Sequence, residues 1–127
     1  MVLAKDFKEL DVYQRAYQAA LKIYQITKSF PAEEKYSLTD QVRRSSRSIC
    51  ANLAEAWKKR RYQAAFVAKL SDADAEAAET GVWLQMSKDL GYLAGPEATE
   101  LLKEYGVISA QLNKMIDGSK SWSQVKE

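Results

Sequence analysis

Apolar residues recur along most of this chain at alternating spacings of three and four. Between about residues 8 and 29, Leu10, Tyr13, Tyr17, Ala20, Tyr24 and Thr27 form one such stripe. Val12, Ala16, Ala19, Ile23, Ile26 and Phe30 form a second. At about 100° per residue the two lie roughly a third of a turn apart, so apolar groups cover about half of this first helix. One stripe suits the chain's own core, which leaves the other for a further helix of that core or for a neighbouring subunit. Phe30-Pro31 breaks the pattern, because a residue before proline is pushed out of helical geometry, and a second helix is predicted to begin between Ala32 and Ser37. In it Leu38, Val42, Ile49 and Leu53 share one side, and Arg43, Arg44, Arg47 and Lys58 take the opposite side. Ser45, Ser46, Ser48, Ala51, Ala54 and Ala56 are small enough for a neighbouring backbone to come close.

A third helix is predicted from Tyr62 to Leu90, carrying Phe66, Leu70, Ala73, Ala77, Trp83 and Leu84, with Gly81 as its weak point. Gly91 to Pro96 supplies a stop and a restart. The fourth helix, with Leu101, Tyr105, Ile108, Leu112 and Met115, runs to about Ile116 and ends at Gly118. No strand-like alternation competes with these segments. Four amphipathic helices on short links predict an all-α, antiparallel up-down-up-down four-helix bundle, with residues 1–127 as a single domain.

Composition adds what this bundle is expected not to do. With 46% hydrophobic and 28% charged residues, the 127-residue chain is large and apolar enough to bury a core without disulfides. The lone Cys50 fits a reducing compartment, Met1 to Asp6 lacks a signal peptide's apolar stretch, and no apolar run is long enough to span a bilayer. A cytoplasmic protein without membrane contact is expected. The chain contains no histidine, and so lacks the usual general base near neutral pH and the commonest metal ligand. It also lacks a Gly-rich phosphate loop, a cysteine pair at zinc spacing and a Glu-x-x-His motif. We therefore expect no enzyme, no metal and no cofactor. The pairs Asp72/Glu76 and Asp74/Glu79 read as a solvated helix face, and Cys50 as a small buried residue.

Charge placement changes the picture more than its total of +2 does. Residues 41–61 hold seven bases (Arg43, Arg44, Arg47, Lys58, Lys59, Arg60 and Arg61) against the single acid Glu55, a local +6 against −4 elsewhere. Such an array contacts several phosphates at once, with sequence-independent, salt-sensitive affinity for RNA or DNA. Trp57 and Tyr62 flank its second half, where a ring can stack on an unpaired base or, for Trp57, simply close the core. A second reading stands beside this one: a solvated face, or one that bridges subunits by meeting the Asp72 to Glu79 surface of a neighbour.

The residues also carry a resemblance. Phe7-x-x-Leu10-x-Val12-Tyr13-Gln14-x-Ala16-Tyr17, Ile23-Tyr24-x-x-Thr27-x-x-Phe30-Pro31, Glu34-Lys35-Tyr36-x-Leu38-Thr39-x-Gln41-x-Arg43-Arg44 and Ser48-Ile49-x-Ala51-Asn52-x-Ala54-Glu55 follow one another in order. Together they resemble the bacterial four-helix bundle proteins first noticed in intervening sequences of 23S rRNA genes, which look related to the accessory proteins of diversity-generating retroelements. The resemblance is dense over residues 7–55 and looser beyond. It implies a homopentamer with a basic surface, a nucleic-acid role or a protein partner such as a reverse transcriptase, and no catalytic residues. Arg43 and Arg44 match the family's basic pair, whereas Lys58 to Arg61 fall where the family is basic but variable. Cys50 replaces a usual proline and Ala56 a usual glycine, which predicts a straighter, longer second helix. Asn52 and Glu55 match too, and read as a buried polar contact holding helices or subunits in register.

Overall fold

The structure, a computed structural model, describes residues 4–123. The remaining residues of the predicted 1–127 domain, including Met1 to Leu3 of the stretch read for a signal peptide, lie outside the described residues. Four long helices form: α1 (Asp11–Thr27), α2 (Leu38–Lys58), α3 (Gln63–Asp89) and α4 (Gly95–Asp117), followed by one turn, α5 (Ser119–Trp122). Short 3-10 turns at Phe7–Glu9 and Ala32–Glu34 take up the ends that the apolar stripes assign to longer helices. α2 packs on α1 and α3, and α4 on α3 and α1, with no close backbone approach across either diagonal among the described residues. The cross-section is thus a square of antiparallel neighbours, the up-down-up-down bundle.

The core follows the three-four rhythm. Phe66, Leu70, Ala73, Ala77, Thr80, Leu84 and Ser87 are the buried positions of α3, and Ala98, Leu101, Tyr105, Ile108, Leu112 and Met115 those of α4. Val12, Ala16, Ala19 and Ile23 of α1 and Phe30 in the link after it face inward, while Tyr17 and Tyr24 of the other stripe remain exposed. Small residues set the tight side of the square. Ser45 and Ser46 are fully buried, and the Ser45 hydroxyl lies 2.8 Å from that of Thr80 on α3. Thr80 is placed to donate to the Glu76 carbonyl at 2.8 Å and Ser45 to the Val42 carbonyl only at 3.4 Å, so Ser45 is the better-placed donor across the interface. α2 runs unbroken through Cys50 and Ala56 to Lys58. α5 has no signal in the apolar pattern. Its Trp122 closes one end of the bundle, with ring centroids 6.4 Å from Trp57 and 6.5 Å from Phe66.

α3 ends in a Schellman cap. The Gly91 N–H donates to the Lys88 carbonyl and the Tyr92 N–H to the Ser87 carbonyl, both at 2.9 Å, with Gly91 at φ +82°. A Cβ at Gly91 meets nothing within 4 Å, so the cost of Gly91→Ala is conformational alone. We expect a loss of about 1 kcal/mol in urea unfolding for this variant.

Candidate nucleic-acid interface

The seven cations do not form one surface. Arg43 turns toward α1, donating from Nε to the Thr27 hydroxyl at 2.8 Å with its guanidinium 4.7 Å from the Tyr24 ring centre. Arg47, one turn on, lies 6.0 Å from the same ring, and Lys28 5.0 Å from it. Tyr24 is therefore a hub for three cations, two of them from α2. Tyr24 and Lys28 stand at i, i+4 and can be paired from sequence, whereas the meeting of Tyr24 with the α2 arginines depends on the rotation of α1 against α2 and has no local pattern.

Arg44 leaves α2 on the other flank. It bridges to Glu79 at 2.7 Å and Glu76 at 3.5 Å, both on α3 of the same chain. The acidic surface expected to meet a neighbour's bases is thus in part neutralised from within. Burial pushes Glu76 up and works against ionisation of Glu79, but hydrogen bonds to Glu79 from Arg44 and the Trp83 indole outweigh burial and hold its carboxyl below the usual value. A depressed carboxyl contributes stability above its unfolded pKa, about 4.3, and loses it as pH falls through the folded value. Melting temperature should accordingly decline below about pH 4.3, and Glu79→Gln should flatten that decline, as read by thermal melts across a pH series.

Asp74 accepts from Ser109 at 2.5 Å and from Asn113 at 3.1 Å, so it ties α3 to α4. Asn52 is half-buried and bonds within its own helix, to Ser48. Glu55 is exposed and reaches Lys69 of α3 at 2.8 Å. The expected buried register contact is therefore a surface one between α2 and α3. Cys50 is half-buried, and burial pushes its thiol up to about 11.

The second cluster sits where α2 stops. Lys59 N–H donates to the Glu55 and Ala56 carbonyls and Tyr62 N–H to the Lys59 carbonyl, a tight reversal that fans the cations out at the negative end of the α2 dipole. About eleven residues of helix, some 16 Å, separate Lys58 from Arg47. Arg60 lays its guanidinium 3.9 Å from the Trp57 ring centre and donates to the Trp57 carbonyl at 3.0 Å. Trp57 is buried and closes the core, whereas Tyr62 is 65% exposed and available for stacking. Lys58, Arg60, Arg61 and Tyr62 line a polar hollow of about 440 Å³ together with Lys5, a residue the charge pattern does not single out. Among the described residues no carboxylate lies within ion-pair distance of Lys58, Lys59 or Arg60.

Residues 8–114 match the family model of the 23S rRNA-intervening sequence protein, a span that includes all seven cations. The chain belongs to this family. A solved structure of a protein with unknown function from the S23 ribosomal protein family of Bacteroides thetaiotaomicron is similar to it, at 28% identity and a TM-score of 0.75. That likeness covers 84% of this chain and 95% of the other. No curated protein matches. Among the described residues no helix is long and apolar enough to cross a membrane.

Proposed function

We propose that this family member works by binding and not by catalysis, as a cytoplasmic homo-oligomer that holds RNA or DNA on the Lys58 to Arg61 reversal. The observation that carries this reading is the polar hollow at the end of α2, where Lys58 and Arg60 stand beside the exposed Tyr62 and Lys5. Clustered cations of this kind displace condensed counterions from a phosphate backbone, and an exposed ring adds sequence-tolerant stacking on an unpaired base. The family's name ties it to an intervening sequence of 23S rRNA, which favours a nucleic-acid partner. Five copies is the number the family resemblance implies.

Arg43, Arg44 and Arg47 support a different use. Their hydroxyl, carboxylate and tyrosine contacts within the chain favour a role in protein contacts, which is the adaptor reading: a homo-oligomer that presents this flank to a partner such as a reverse transcriptase.

Binding of a labelled structured RNA and a matched DNA duplex, titrated from low to physiological salt, tests the proposal. The expected log–log slope is about −3 or steeper, and Lys58→Ala/Lys59→Ala should make it shallower by about 2 at unchanged molar mass. If neither ligand binds at low salt, the nucleic-acid reading gives way to the adaptor. If Arg43→Ala/Arg47→Ala removes binding as fully as the lysine pair does, the division of the cations is wrong.

A further inference from the structure

Among the described residues eight large apolar side chains are exposed, and six of them fall into two patches. Tyr17, Leu21 and Tyr24 line a groove of about 390 Å³ between α1 and α2. Val82 and Met86 of α3 and Leu90 at its C-terminal cap stand beside Leu102 of α4. In a square bundle the α1–α2 and α3–α4 sides face away from each other, so the patches lie on opposite flanks. Exposure gathered in this way marks association surfaces, whereas scattered exposure does not.

The patches differ in chemistry. The groove is aromatic, and Arg43, Arg47 and Lys28 surround its Tyr24. Arg47 makes no ion pair with any described carboxylate. The α3 patch is aliphatic and carries the exposed Asp89 between Met86 and Leu90. Two copies joined groove to groove would bring like-charged rims together, whereas groove to α3 patch sets opposite charges across an apolar centre.

We propose that the α1–α2 groove of one copy receives the α3 patch of a second copy, with Met86 and Leu90 against Tyr17, Leu21 and Tyr24, and Asp89 facing Arg47. This rests on the homo-oligomer reading above and names its interface. Because the two surfaces are unlike and on opposite flanks, each joined pair still offers one groove and one patch, and copies add head to tail until a ring closes.

Molar mass by light scattering and sedimentation tests the pairing, with circular dichroism melts confirming that each variant is folded. Leu21→Arg and Met86→Arg sit on exposed positions, and each alone should fall to the 14.3 kDa of one chain. Mixed in equal amounts, they should form a two-chain species and nothing larger, because only the intact patch of the first and the intact groove of the second can join. Arg47→Asp should dissociate the assembly and Arg47→Asp/Asp89→Arg should restore it. A self-paired groove predicts instead that Met86→Arg keeps its partner and the mixture forms no mixed pair, and that result overturns the proposal. If the wild type assembles but Met86→Arg keeps its full mass, this interface is wrong and the oligomer reading stands. If the wild type is a single chain at all concentrations, both are wrong.

Discussion

Phe66→Ala should lower the unfolding free energy by about 3–5 kcal/mol. Phe66 is fully buried where α3 begins, against Trp122 of α5, and it is the largest of the wholly enclosed side chains. Its removal withdraws the ring's burial and leaves a void that helices fixed on two sides cannot collapse to fill. Domains of this size have about 5–15 kcal/mol in all, so the loss takes a large share of the margin. In urea the midpoint should fall with little change of slope, at one fixed protein concentration because assembly adds to apparent stability. A loss under about 1 kcal/mol would mean that Trp122 moves into the space, and would make α5 a mobile plug.

The second expected effect has the opposite sign. Tyr105 on α4 is 3% exposed, and its hydroxyl has no hydrogen-bond partner among the described residues. Burial drives its phenol well above the ordinary tyrosine value, with the Cys50 thiol a lesser electrostatic contributor. An unsatisfied buried hydroxyl costs about 1–3 kcal/mol, so Tyr105→Phe should raise stability by about 1–2 kcal/mol after the small void it leaves. The urea midpoint reads this directly. A fall instead would show that the hydroxyl is satisfied in solution, with Cys50 as the neighbour to change next.

These two residues also show what the chain's pattern reveals and what it hides. Phe66 and Tyr105 are both assigned to the core by their three-four spacing, because burial of a helical stripe is a property of one segment and is written locally. The same holds for Leu38, Val42, Ile49 and Leu53 of α2, all buried. α5 is invisible because four residues are too few to show a period, and Trp122 reaches the core by tertiary contact alone. The candidate site is legible as composition but not as geometry. Arg43 and Arg44 are adjacent in sequence and read as one basic pair, yet a step of about 100° sends one to Tyr24 of α1 and the other to Glu79 of α3. Which neighbouring helix lies on each flank is a fact of topology. Lys58 to Arg61 stay together because they fall at the last residue of α2 and in the short turn to α3, where neighbours in sequence are neighbours in space.

The Arg60 guanidinium stacked 3.9 Å from the Trp57 ring centre makes this end of the bundle its own optical probe. Indole emission responds to the field of a charge at van der Waals distance, and Arg60 is among the cations lining the hollow. A phosphate that draws Arg60 off the ring removes a positive charge from beside Trp57. Occupancy would then register in the protein's intrinsic fluorescence, with no dye attached to either molecule.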